Sequence, residues 1–437
     1  MTEVRLISNR RQLLRSLGPE TACVVDACYR NAIYSASPDR CIPAFLRSPA
    51  GRTLLRRISL KSEDFYCFGA GKASAEMLKA LINEGLDPAG GIVSSVGSGK
   101  LGKVRLERCP HPLPDGDSVK HTLEIMDELS SLPRDSNILF LLSGGASSML
   151  ALPLDFIELE EKRRIIGLML LSGANIGDIN CVRRHLSKVK GGNLARIYYP
   201  RRVFTLAISD VPGNRPEDIG SGPTCPDPTT SADAISIMKR YGALGLIGRD
   251  KVGRLNSGRY ETLKPGDELL STTSYRIIAD NRIAMRGVSR ALESLGLQAV
   301  TDRKTIMSSS PREIRSFLGR ARNAAGKHGA FVAGGEAAVA VRGEGYGGRC
   351  QHFALTAASM LEEGEFIVAI ATDGKDGNTS SAGAATGPVE PAVAIKYLNE
   401  FNSGIYFERA GTNIVGPATG TNVSDIYIYL KTGVPNH

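Results

Sequence analysis

Apolar residues follow two rhythms along the 437-residue chain. Short runs rich in branched and aromatic side chains end at glycines or small polar residues: "FYCFGAG" (65–71), "GGIVSSVG" (90–97), "NILFLLSGG" (137–145) and "RVFTLAISD" (202–210). Longer stretches at helical spacing lie between them, such as "ASAEMLKALINEG" (73–85) and Leu159 to about Ser172. This alternation predicts an α/β protein with right-handed crossovers and a mostly parallel sheet between helices. The polar, turn-rich segment 256–274 is the expected junction. Beyond it, "YRIIADN", "AFVAGGE", "AAVAVRG" and "FIVAIATDG" read as strands of a second α/β unit. The run closing "NIVGPATGTNVSDIYIYL" (413–430) reads as an edge strand. The expected division is 1–260 and 261–437.

Composition narrows the class. Hydrophobic content of 42% with 23% charged residues supports a sizeable core. No apolar run approaches the ~20 residues of a membrane helix, and "MTEVRLISNRRQLLRSLG" lacks a signal peptide's apolar block. A cytoplasmic protein is expected, with a homo-oligomer left open. The eight cysteines include no CxxC pair, so a zinc or iron–sulfur site is not indicated. A net charge of +9 favours anionic ligands. Tryptophan is absent and aromatics are 6%, however, which argues against nucleic acid.

In open α/β sheets, ligands gather beyond the carboxyl ends of strands. Those ends carry Gly71-Lys72, Ser143-Gly144-Gly145, Ser209-Asp210, Gly335-Glu336 and Thr372-Asp373-Gly374. "FYCFGAGKAS" is neither a Walker A loop, since Tyr66 stands where the first glycine belongs, nor a dinucleotide fingerprint, since Ser74 replaces the third. A helix start with a lysine still suits an anion, against the alternative of a packing turn. "SGGASS" is not a nucleophile elbow, because Met149 stands two places beyond Ser147. A backbone cradle with Ser147 and Ser148 fits better, with a structural turn as its rival. The basic run "VRRHLSKVKGGNLAR" (182–196) bends at Gly191-Gly192. The long loop after Asp210 has the length of a functional loop, and Asp210 could anchor Mg²⁺ or accept a proton. Arg349 suits a carboxylate or phosphate. Nearby His352 reads as structural more readily than as a base, and Asp373 with Asp376 reads as a metal loop.

Taken together, GAGKAS (69–74), HPLPDGDS (111–118), SGGASSM (143–149), VRRHLSKVKGGNLA (182–195), SDVPGN with SGPTCPDPTT (209–230), GGE (334–336), GGRCQHFAL (347–355), TDGKDG (372–377) and GPATGTNVSD (416–425) resemble the glycerate 2-kinase family, whose C-terminal half is the MOFRL domain. The resemblance implies a Rossmann-like N-terminal domain, a smaller MOFRL-type domain and an active site in the cleft between them. It implies ATP-dependent phosphorylation of D-glycerate on the 2-hydroxyl with Mg²⁺ or another divalent cation, giving 2-phosphoglycerate. Lys72 and Arg349 match the family's basic pair. The chain departs from the family at Asn214, at Cys350 and His352, and at Asn378-Thr379-Ser380.

The expected assignment follows. Lys72, Arg349 and Asp210 are catalytic. Gly71, Ser143, Gly144, Gly145, Ser147, Ser148, Lys190 and Glu336 bind nucleotide or substrate. Asp210 and Asp373 hold metal. The partners are ATP and D-glycerate, without nucleic acid or membrane. Two alternatives stand beside it: an NAD(P)H-dependent hydroxypyruvate reductase, and a non-catalytic glycerate- or nucleotide-binding protein.

Overall fold

The computed structural model describes residues 7–58, 65–326, 328–341 and 343–431. The start of the amphipathic N-terminal segment, Asp64 ahead of the first strand, and Arg342 in "AAVAVRG" lie outside the described residues. The chain divides into two compact units. One runs from Cys41 to Ile278; the other joins the segment up to Arg40 to everything from Ala279 onward. The passage at 278/279 lies beyond the expected boundary at 260. The N-terminal helices belong to the second unit because the helix Pro19–Ser35 packs on the helix Asn281–Ser294. Ser35 sits where a Cβ at Gly287 would stand, so the two backbones come close.

The Cys41–Ile278 unit is built on β1 (Phe65–Ala70), β2 (Ile92–Ser95), β3 (Gly99–Leu101), β4 (Val104–Arg108), β5 (Asn137–Leu142), β6 (Arg202–Ile208) and β7 (Thr273–Ala279). Their order is β3-β4-β2-β1-β5-β6-β7. The pairs from β4 through β6 are parallel, and β3 joins β4 antiparallel. Both faces of the central strands are covered, as parallel sheets require. Phe68, Ile138, Phe140 and Leu142 meet Ile125 and Leu129 of the helix Gly116–Ser131, while the intervening Cys67, Leu139 and Leu141 are buried too. "YRIIADN", expected in the second unit, forms most of β7 and closes this first sheet. Beside the sheet, the helices Leu159–Leu171, Ile176–His185 and Ser231–Arg240 pack into a separate core around Ile165, Met169, Val182 and Met238.

The second sheet comprises β8 (Gln298–Thr301), β9 (Ile306–Ser308), β10 (Gly329–Ala338), β11 (Glu365–Ala371), β12 (Gly383–Thr386), β13 (Asn413–Ile414) and β14 (Asp425–Lys431). "AFVAGGE" and the start of "AAVAVRG" are one strand, β10, not two. This sheet is mixed. Only β8 and β9 pair with β10 in parallel. β14 lies antiparallel between β10 and β11, and β11, β12 and β13 also pair antiparallel. The tail run, expected at an edge, is therefore central. Its alternation places Tyr427 and Tyr429 in one core and leaves Ile426 and Ile428 buried as well. Alternation marks a strand; it does not say how many neighbours that strand has.

Candidate active site

In the first sheet the chain moves from β1 to β2 on one side, then returns to β5 on the other. The strand order reverses between β1 and β5, and such a switch opens a crevice beyond the carboxyl ends. Ala70, Leu142 and Ala207 stand level across β1, β5 and β6. The residues that follow, Gly71-Lys72, Ser143-Gly144-Gly145 and Ser209-Asp210, therefore share one edge. The two turns are locked together. Gly71 has φ of 137°, and a Cβ there would lie 2.2 Å from Ser143 Oγ. The amide of Ala73 donates to that Oγ at 2.9 Å, and the amide of Lys72 donates to Gly144 O at 2.9 Å. Ser143 is fully buried. Its hydroxyl braces the start of the helix Ser74–Asn83. Gly145 is left-handed, and a Cβ on it would lie 3.3 Å from Lys72 Cγ and 3.0 Å from His111 Cδ2. A bare backbone position is thus flanked by Lys72 and His111.

Gly145 also lines a cleft of about 320 Å³, walled by His111–Pro114, Ser147, Ser148 and the helix Leu159–Leu171, with Arg183 and Lys190. Among the described residues that line it there is no carboxylate. Lys162 Nζ donates to Arg183 O and Leu186 O at 3.1 and 3.0 Å, and Lys190 Nζ donates to Gly220 O at 2.9 Å. Burial pushes the Lys162 amine down to about 7, with Arg183 adding to the effect. Burial, then Lys162 and Arg183, hold Lys190 well below its ordinary range. A bound anion would relieve all three cations at once. Ser147 Oγ lies 3.2 Å from Ser221 Oγ, and Ser148 Oγ donates to Gly145 O at 3.0 Å. Ser147 and Ser148 therefore reach the cleft, Ser148 with its proton committed to the turn.

The remainder of the basic run has other duties. Arg184, almost fully buried, pairs with Asp218 at 3.3 Å and Asp227 at 3.0 Å, and His185 Nε2 lies 3.0 Å from Glu261. The Gly191-Gly192 bend is required: both have positive φ, and a Cβ on Gly191 would meet Thr262 at 2.7 Å. Their amides donate to Ser221 O and Gly222 O, which anchors the loop after Asp210.

In the second unit, β14 places Asp425 level with Gly335 of β10 and Ala371 of β11. Arg349, first residue of the helix Arg349–Ala358, pairs with Glu336, and its Nε lies 3.2 Å from Asp425 Oδ2. Burial opposes the Arg349 charge, yet Asp425 and Glu336 raise its pKa above the usual value. Burial pushes Asp425 up to about 7 against the pull of Arg349. Asp425 was missing from the expected set, although "NVSD" immediately precedes the alternating run. Lys162 was missing as well, and only its burial distinguishes it from the other charges of "EEKRR".

Asp376 caps a helix. Its two oxygens accept from the amides of Cys350 at 3.0 Å and Gln351 at 2.8 Å, capping the helix that carries Arg349. Gly348 has no room for a Cβ beside it. Asp373 Oδ1 accepts from Lys375 N at 3.1 Å within its own turn. Thr372 and Thr419 tie that turn to the 416–425 loop. His352 stacks on Phe401, and burial lowers it to about 4, so it is neutral packing. Among the described residues, the one trio placed to share a cation is Glu107, His121 and Glu124, which includes neither Asp210 nor Asp373. A magnesium ion held by one carboxylate and by phosphate oxygens needs no such trio. Half-buried Asp210, beyond β6, fits that requirement.

Comparison with known proteins agrees with this architecture. A family model described as a domain of unknown function (DUF4147) matches residues 24–249, and the MOFRL family matches 329–425. The D-glycerate 2-kinase of Thermotoga maritima is 31% identical over 92% of this chain and 96% of its own. An Agrobacterium vitis protein with a provisional hydroxypyruvate reductase name is 33% identical over 96% and 94%. The crystal structure of a Thermotoga maritima glycerate kinase superposes with a TM-score of 0.79 at 30% identity, covering 95% of this chain and all of that one. With its two matched domains in that order and this likeness along nearly its whole length, the chain belongs to the glycerate 2-kinase family.

Proposed function

We propose that this chain transfers the terminal phosphoryl group of ATP to the 2-hydroxyl of D-glycerate. The observation carrying the reading is the edge where β1, β5 and β6 end together. Lys72, the Ser143–Gly145 turn and Asp210 follow those strand ends, and Gly145 of that turn also lines a cleft with Lys162, Arg163, Arg183 and Lys190. Phosphoryl transfer asks a protein for positioning and charge neutralisation. Lys72 supplies positive charge to the transferred group, and Arg349 is the second cation the reaction draws on. Asp210 holds the divalent cation that would bridge phosphate oxygens, or accepts the hydroxyl proton; Asp373 is the second candidate for the metal. β2 ends in Ser94-Ser95, without a carboxylate to hold a nicotinamide cofactor's ribose, so the reductase reading gains no support.

The test supplies ATP, Mg²⁺ and D-glycerate with enolase and pyruvate kinase but no mutase. Immediate pyruvate formation is expected, because enolase accepts the 2-phosphate directly. ADP release without pyruvate would mean the 3-hydroxyl is the acceptor. No ADP release at all would overturn the kinase reading.

A further inference from the structure

The cleft within residues 41–278 has two chemistries, and a three-carbon acid needs only one of them. Its floor is cationic and buried, with Lys162 and Lys190 only 8% and 1% exposed. Its mouth is apolar and open, with Leu113 and Leu170 exposed by 54% and 53%. They come from separate elements, Leu113 from the segment after β4 and Leu170 from the last turn of Leu159–Leu171, yet both line the same cleft. Pro114 and Ile166 extend that wall. Large aliphatic side chains left in water around one concavity mark a surface that is covered in use.

We propose that this cleft is the donor nucleotide's site: the base lies against Leu113, Pro114 and Leu170, and the phosphates run inward along Ser147 and Lys190 to Gly145, ending beside Lys72. The inference rests on the kinase reading for its choice of nucleotide; the split of the cleft into two chemistries stands on geometry. A heteroaromatic base gains from apolar contact, whereas glycerate, a carboxylate with two hydroxyls, has no surface to set against that wall. The exposure gradient fixes the direction. The uncharged end of the ligand stays outside, and the charged end reaches the floor. Lys190 Nζ makes one hydrogen bond, to the Gly220 carbonyl at 2.9 Å, so an N–H remains for a phosphate oxygen. At Gly145 the missing side chain lets the ligand approach the backbone where Lys72 passes.

The test is calorimetric titration of the full chain with ADP alone, followed by steady-state kinetics. Leu113→Asn and Leu170→Asn are compared with Leu171→Asn, whose leucine is 89% exposed and outside the cleft. Each cleft variant is expected to weaken ADP about tenfold or more, the scale of one lost apolar contact surface. The KM for ATP should rise in parallel while the KM for glycerate holds. Inhibition by inorganic tripolyphosphate, which lacks a base, should not change, and Leu171→Asn should match the parent. Should Leu113→Asn fail to fold, Leu170→Asn on the exposed helix end decides alone. ADP affinity unchanged in the cleft variants, or a rise in the glycerate KM in place of the ATP KM, overturns the assignment. ADP binding that follows the expected pattern in a chain that never phosphorylates glycerate would sustain the site while removing the proposed reaction.

Discussion

Lys162 in the first unit and Asp425 in the second are both displaced by burial to about 7, from opposite directions. The cause is the same: a charge removed from water without full compensation. The surroundings differ. Among the described residues lining the cleft with Lys162, the charged ones are Arg163, Arg183 and Lys190, all positive. Around Asp425 there is one guanidinium, shared with Glu336, and a second buried carboxyl, Asp376. The first region is a set of cations waiting for an anion. The second is a closed network whose arginine already has partners. Arg349 belongs to that network, whereas Lys72 passes beside Gly145 at the edge of the first sheet, and removing them should have unlike consequences.

The largest expected effect is on turnover. Lys72→Ala and Arg349→Ala should each reduce kcat about 100-fold or more, as for loss of a preorganised charge-stabilising group. Their thermal stabilities should diverge. Arg349→Ala leaves buried Asp425 without its cation and lowers the melting temperature, and Lys72→Ala, at a half-buried position, is expected to lower it less. Near-normal turnover in both variants would refute the pairing; equal losses of stability would remove the contrast. Gly71→Ala should come next. Its Cβ would fall on Ser143 Oγ at 2.2 Å in a left-handed backbone, so about 1–3 kcal/mol of stability should be lost in urea titration. Parent-like stability there would show that the two turns are not locked. Asp376→Ala should cost about 1–2 kcal/mol through the lost cap, with Asp376→Asn recovering part of it.

The smallest effect is a pH slope. Asp376 and Asp425 are raised from 3.8 to about 6 and about 7. The folded chain then holds protons that the unfolded chain releases, so their stabilisation is present below about pH 4 and is lost as pH rises through 6 and 7. For Lys162 the sign reverses: the contribution is present above its ordinary 10.5 and is lost as pH falls through about 7. Melting temperatures measured between pH 4 and 8 should show a shallower decline in Asp425→Asn than in the parent. An identical slope would mean that Asp425 does not titrate in this window.

The sequence alone determined a good deal of this. Strand endings at "FGAGK", "LLSGG" and "AISD" located the edge that carries Lys72, the glycine turn and Asp210, because a chain must turn where a parallel strand stops and the residues able to do so are few. Period-two alternation found the closing strand. What it could not show was which strands become neighbours, since pairing depends on contacts distant in sequence. Only the fold put β7 in the first sheet and β14 at the centre of the second, with Asp425 against Arg349. Burial likewise separated residues of identical type. Ser143 became a brace while Ser147 faces the cleft, Asp376 became a helix cap, and Lys162 was singled out from its solvated neighbours. A side chain's chemistry is written in the sequence, but its solvent and its partners are set by the packing of segments hundreds of residues apart.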